Sequence, residues 1–152
     1  MNSLILFYSR SGTTKIVATK IAEVLNCDME EIIDCKNRSG ILGWLCSGRD
    51  AFRRYFTEIK PVTKNLGSYE HIIIGTPVWA GNITPAIRTL VKNFYEKFNK
   101  VTFFCTMSGD GNKKVFKELE FLCQQKPLLT LAIKRSEVLS GKYVEKLKSH
   151  FK

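Results

Sequence analysis

The sequence predicts an α/β fold, a doubly wound five-stranded parallel sheet with helices on both faces. Two observations carry that expectation. Five short apolar runs alternate along the 152 residues with stretches of helical periodicity, and such repetition calls for parallel strands joined by crossover helices. Most of the runs are apolar throughout rather than alternating, as strands are when both sheet faces are covered. The second run carries charges, which an edge position tolerates, so the strand order 2-1-3-4-5 is expected. The chain reads as a single domain over 1–152, long enough for a sizeable core and without an internal repeat.

The first strand runs from near Ser3 to Tyr8. Ile16 to Leu25 then sets Val17, Ile21, Val24 and Leu25 on one helix face, with Lys15, Lys20 and Glu23 elsewhere. Asp28 to Asp34 is the charged second strand. Residues 35–70 hold no clear strand. Ser39-Gly40 marks a turn, and Ile41 to Phe56 reads as a helix with Ile41, Leu45, Phe52 and Phe56 on its apolar side, weakened by Gly43 and Gly48. Ile72-Ile73-Ile74 is the third strand, stopped by Gly75-Thr76-Pro77. Thr84-Pro85 opens the next helix, where proline fits the first turn. Ile87, Leu90, Val91, Phe94, Tyr95 and Phe98 give it the clearest amphipathic pattern in the chain. Val101 to Cys105 is the fourth strand, Val115 to Cys123 a helix, Leu128 to Ile133 the fifth strand, and Tyr143 to Phe151 a closing helix.

Ligands of such sheets sit beyond the carboxyl ends of the strands, at the switch point between strands one and three. Three loops meet there under the expected order: 9–14, 76–82 and 106–112. They are also the loops richest in Gly, Ser and Thr. The first reads Ser9-Arg10-Ser11-Gly12-Thr13-Thr14, between a strand and a helix N-terminus. Free backbone N–H groups, hydroxyls and the positive end of a helix dipole make such a turn an anion site, and Gly12 lets the backbone close on the ligand. A phosphate monoester suits it. The same residues also fit a plain N-capped helix. Arg10 either contacts the anion or lies on the surface.

Hydroxyl-x-hydroxyl-Gly-x-Thr after the first strand resembles the phosphate loop of the flavodoxin family, and the phosphate of FMN is such a monoester. The resemblance spans nearly the whole chain and implies a flavodoxin-like sheet in the same order, with FMN as cofactor. The second loop, Thr76-Pro77-Val78-Trp79-Ala80-Gly81-Asn82, looks like the isoalloxazine-binding loop of the family, which often carries Pro-x-Trp. Trp79 then stacks on the flavin; the plainer reading is a core residue capping the sheet. The family pattern also implies that a backbone carbonyl of Ala80 or Gly81 accepts a hydrogen bond from N5–H of the reduced ring. The third loop, Thr106-Met107-Ser108-Gly109-Asp110-Gly111, would offer backbone groups to the pyrimidine edge. Many flavodoxins place a tyrosine here against the second ring face, and this chain has none. Met107 or Trp44 covers that face, or it stays open; Trp44 also fits packing within its own helix.

The totals exclude several other classes. Cys27, Cys35, Cys46, Cys105 and Cys123 form no Cys-x-x-Cys pair, and the only histidines are His71 and His150, so neither a zinc site nor a disulfide framework is expected. No run approaches the roughly 20 apolar residues of a membrane span, no signal-peptide flank precedes the first strand, and a cytoplasmic location is expected. The P-loop signature is absent, the first strand is not followed by the acidic residues of a response regulator, and Gly111 stands where a small tyrosine phosphatase would need arginine after Cys105. The formal net charge is +10. Lys15, Lys20, Arg88, Lys92, Lys97, Lys142, Lys146 and Lys148 are assigned to helix surfaces, either as a solvated face or as a docking surface; a basic surface can steer an acidic protein partner, or bind nucleic acid or anionic lipid weakly. No nucleic-acid motif accompanies the charge. The resemblance therefore implies an electron carrier between redox partners. The alternative is a flavin-dependent reductase using NAD(P)H on a quinone or similar small molecule. No catalytic side chain is assigned under either reading.

Overall fold

The strand Ser3–Phe7 (β1) is buried along its whole length, and it divides its side chains between two cores. Leu4 and Leu6 point into one, Ile5 and Phe7 into the other. The computed structural model describes residues 1–151. After β1 come α1 (Thr13–Leu25), β2 (Asp28–Glu31), α2 (Gly40–Phe52), β3 (His71–Pro77), α3 (Pro85–Phe94), β4 (Lys100–Met107), α4 (Asn112–Cys123), β5 (Thr130–Lys134), α5 (Arg135–Ser140) and α6 (Tyr143–His150). The sheet is parallel in the order β2-β1-β3-β4-β5.

One core packs β1, β3 and β4 against α3 and α4 through Ile87, Leu90, Val91, Val115 and Leu119. The other packs them against α1 and α6 through Val17, Ile21, Leu147 and Phe151. Covering both faces is what removes alternation from the strand sequences. Gly75 lies beside Phe104 in the β3–β4 register, and a Cβ there would stand 2.1 Å from the Phe104 ring. The glycine is therefore a seat for that ring.

β2 is the edge strand, as its charges suggest. Glu30 accepts hydrogen bonds from the amides of Thr63 (2.7 Å) and Lys64 (3.0 Å), so the 60s segment is tied to this edge. Several boundaries differ from the sequence reading. α1 begins at Thr13, the closing helical region is two short helices separated at Gly141, and α2 ends at Phe52. Arg88 was assigned to a helix surface but is buried, because Glu118 at 2.7 Å and the Tyr55 carbonyl at 3.3 Å meet its guanidinium under α3.

The larger difference is α2. Its apolar side, Ile41, Leu45 and Phe52, is exposed rather than packed on the sheet, as is Phe56 beyond its end. Gly43, Ser47, Asp50 and Ala51 face inward instead. Gly43 rests directly on the backbone of Arg38, where a Cβ would come within 2.3 Å. Asp50 accepts hydrogen bonds from Arg38 Nη1 (2.9 Å), Lys36 Nζ (2.8 Å) and Arg49 Nη2 (2.8 Å). Arg38 also grips Asp34 at 2.6 Å. The helix is held by this buried polar cluster and packs only marginally on the other helices and strands.

Candidate functional site

β1, β3 and β4 are neighbours and end together, so the loops after them converge on one cleft of about 630 Å3. At the end of β1 the Ser9 hydroxyl accepts the amides of Gly12 (3.1 Å) and Lys15 (3.3 Å) and curls the turn around itself. Gly12 stands at φ 97°, a left-handed conformation that glycine adopts without strain. The N-cap residue, Gly12, has no side chain, and Ser9 engages only the Lys15 amide of the first turn of α1. Among the described residues the amides of Ser11, Thr13 and Thr14 have no acceptor, so the positive end of α1 is open toward the cleft. Nothing lies within 4 Å of the place a Gly12 Cβ would take. The first turn therefore keeps its capacity for an anion, which a simple N-cap would have used up.

The second loop leaves β3 at Pro77 and turns tightly. Trp79 and Asn82 exchange backbone hydrogen bonds of 3.0 and 2.9 Å, with Ala80 at φ 48° and Gly81 at φ 72° between them. Two successive left-handed residues are the signature of a two-residue hairpin turn. Asn82 Nδ2 donates to the Ala80 carbonyl at 2.8 Å. Of the two carbonyls singled out in the sequence, Ala80's is thus already engaged. Tyr8 meets the Trp79 ring edge-on at 5.4 Å between centroids, and the Arg38 guanidinium lies 5.7 Å from the indole centre. Trp79 is half-buried and oriented from behind by these two residues. Burial, with Asp34 adding, pushes the Tyr8 phenol up to about 12, so it stays protonated.

The third loop is stitched to the other two. Thr106 shares a 2.8 Å hydrogen bond with Thr14, and its carbonyl accepts the Val78 amide at 2.9 Å. Gly111, at φ 116°, comes so close to the second loop that a Cβ would stand 3.0 Å from Val78 and 3.1 Å from Gly81.

Of the residues singled out in the sequence, Ser9, Arg10, Ser11, Thr13 and Thr14 line the cleft, with Pro77, Val78, Trp79 and Ala80, and Thr106, Met107 and Ser108. Gly12, Thr76, Gly81, Asn82, Gly109, Asp110 and Gly111 do not line it. Gly12, Gly81 and Gly111 shape the backbone, Thr76 is buried with its hydroxyl on the Pro77 carbonyl, and Asn82 braces the turn. Gly109 and Asp110 are exposed at the loop tip. Arg10 does not reach into the cleft as a free cation. Its Nε donates to the Arg38 carbonyl at 2.8 Å and its Nη2 to the Gly40 carbonyl at 3.1 Å, so it pins the turn that leads into α2.

α2 supplies the wall that sequence reasoning underestimated: Trp44, Leu45, Ser47, Gly48 and Arg49 line the cleft, and Arg135 joins them from the start of α5. The exposed Trp44 settles against packing within its own helix. The helical pattern places Leu45 on the apolar side of α2, but periodicity alone does not say that this side borders the cleft. The cleft's charged residues are Arg10, Arg49 and Arg135, and no carboxylate, histidine or cysteine lines it. Burial pushes the thiols of Cys105 and Cys123 up to about 12, which leaves them inert packing residues. Among the described residues no cluster of His, Cys, Asp and Glu could hold a metal ion.

Comparisons with known proteins agree with this fold. A family model described as Flavodoxin matches residues 2–149. A flavoprotein from Lactobacillus acidophilus NCFM, solved in complex with FMN, is 25% identical with a TM-score of 0.75, the match covering 91% of this chain and 97% of that one. A putative flavoprotein from Bacteroides uniformis is 19% identical, with a TM-score of 0.77 and coverage of 98% and 96%. Oxidised Flavodoxin 1 from Bacillus cereus is 18% identical, with a TM-score of 0.56 and coverage of 100% of both chains. At those identities the last two share the fold alone. Comparison with curated proteins gave no match.

Proposed function

This chain belongs to the flavodoxin family, and from that premise we propose that it carries electrons between redox partners with FMN as its cofactor. The residues present fit the cofactor. The amides of Ser11, Thr13 and Thr14 lack an acceptor and sit at the open positive end of α1, which suits a phosphate dianion. FMN supplies a ring that stores electrons and releases them singly or in pairs. The chain's own residues hold and shield that ring. Ser9 fixes the phosphate turn, Thr14 and Thr106 lock the first loop to the third, and Trp79 offers an aromatic face kept in place by Tyr8 and Arg38. Trp44 and Leu45 close the cleft from α2.

Hydride transfer to a flavin needs no acid–base side chain, so what supports the carrier reading is the charge of the cleft. Its charges are all cationic, and they would steer a partner with an acidic surface. The NAD(P)H-dependent reductase reading draws on a different feature. The third loop contributes Met107 and Ser108 rather than an aromatic, and Trp44 sits on a loosely packed helix, so a second planar ring has a route in.

Anaerobic reductive titration of the FMN-loaded protein, followed by visible absorbance, separates the two. The carrier reading expects two resolved one-electron steps and no bleaching by NADPH alone. Direct two-electron reduction with rapid bleaching by NADPH would replace it with the reductase, and failure to take up FMN would overturn the assignment of the cleft.

A further inference from the structure

We propose that the outer face of α2 docks on an anionic lipid bilayer and holds the mouth of the cleft against it. The face is apolar and open to solvent: Ile41 is 80% exposed, Leu42 82%, Leu45 55% and Phe52 71%. Soluble domains seldom leave so large a contiguous set uncovered without a partner.

The exposure is built in. Rolling the helix inward would push apolar side chains into the place of Asp50, whose carboxylate is bound by Arg38, Lys36 and Arg49. It would also lift Gly43 off the Arg38 backbone, an approach only glycine permits. The sequence thus puts its small and polar residues inside and keeps Ile41, Leu45 and Phe52 outside.

Charge selects the occupant. Residues 36–60 hold six Lys or Arg and two Asp or Glu. Asp50 is buried within its ion pairs, which leaves Glu58 as the exposed carboxylate of the segment. Arg49, Arg53 and Arg54 lie at the C-terminal end of the stripe. A second copy of this chain also carries +10, so two such faces repel. A protein partner would look for a rim of mixed donors and acceptors, and the polar groups at the edge of this stripe are the cations Arg49, Arg53 and Arg54. A bilayer with anionic headgroups asks for an apolar stripe flanked by cations, which is what α2 presents. The helix has 13 residues, and no described helix is long and apolar enough to cross a membrane, so it would lie in the interface. Trp44 and Leu45 belong both to this helix and to the cleft wall, so docking brings the cleft opening to the lipid surface. The proposal does not depend on which donor or acceptor uses the cleft.

Flotation of the FMN-loaded full chain tests it, with phosphatidylcholine vesicles containing or lacking about one quarter phosphatidylglycerol. The chain is expected to float with the anionic vesicles and stay behind with the neutral ones. The double variant Leu42→Ser/Phe52→Ser, which leaves the charge unchanged, should lower the partition coefficient at least about tenfold, since two exposed apolar anchors are lost. Phe121→Ser removes another exposed aromatic, on α4, and should change nothing. No flotation with anionic vesicles overturns the proposal. So does a double variant that floats as well as the native chain, which would reduce the effect to adsorption of a basic protein. A native dimer that the double variant dissociates would assign the face to a second copy. Absence of flotation together with weaker electron transfer from the double variant to an acidic carrier protein would assign it to a protein.

Discussion

Replacing Arg38 with methionine should loosen α2 and the cleft wall together. Arg38 is 5% exposed and joins Asp34 and Asp50 at 2.6 and 2.9 Å. Removing one partner from a buried ion pair costs about 3–5 kcal/mol, because the remaining charge is left without compensation. Here the loss is cushioned. Asp34 keeps the Lys36 amide at 2.8 Å and the Thr57 hydroxyl at 2.7 Å, and Asp50 keeps Lys36 and Arg49, both partly in solvent. The lower end of the range, about 3 kcal/mol, is therefore expected. For a domain of this size that corresponds to a drop of about 6–12 °C in melting temperature. Urea and thermal unfolding followed by circular dichroism would measure it. Because α2 has little apolar packing to fall back on, its amides should also lose hydrogen-exchange protection before the rest of the fold, and FMN should bind more weakly. Arg38→Lys keeps the charge but cannot fork between two carboxylates, so it should recover only part of the loss. A change under about 1 kcal/mol in Arg38→Met, with α2 protection intact, would refute the view that this polar cluster anchors the helix.

Three further outcomes follow from the same structure. Burial works to raise the Asp50 carboxyl, but hydrogen bonds from Lys36, Arg49 and Arg38 outweigh it and hold the group well below the usual carboxylate range. Its stabilisation is therefore complete above about pH 4 and lost as pH falls below that; Asp50→Asn should flatten the acid limb of a stability-pH curve measured by urea unfolding. Burial, with the N-terminal amino group and Lys100 adding, pulls the His71 imidazole below its ordinary value, while Ser3 (3.1 Å) and Thr102 (2.9 Å) hydrogen-bond its ring. The neutral form is the folded one, so this contribution is present above about pH 6.5 and fades as pH falls through the lowered value, and His71→Gln should remove that dependence from the same curve. Gly75→Ala should destabilise by about 1–3 kcal/mol or more, because the added methyl meets the buried Phe104 ring; a thermal melt within 1 °C of the native protein would contradict that packing.

Much of the fold was legible in the chain because its determinants are local. The apolar runs around Leu4–Phe7, Ile72–Ile74 and Val101–Cys105 read as strands covered on both faces, and the charges of Asp28–Asp34 suit the edge that β2 occupies. The three loops were legible for the same reason. Gly12 and the Pro77-Val78-Trp79 run announce themselves locally, and sheet order brings them together, although β3 continues through Gly75 to Pro77 and β2 ends early at Glu31. What needed the tertiary structure was every feature decided by a distant partner. Hydrophobic periodicity describes the apolar stripe of α2 correctly, yet it cannot say which way the stripe points when polar pairing outcompetes apolar packing. Asp34, Arg38 and Asp50 made that choice, aided by the close seat of Gly43. Arg88 is buried because Glu118, thirty positions away, meets it. Arg10 was a candidate for the anion until the Arg38 and Gly40 carbonyls claimed its guanidinium. Local pattern therefore determined the sheet and the three loops, whereas buried charge pairs between remote residues decided how the cleft is walled and which face of α2 meets the solvent.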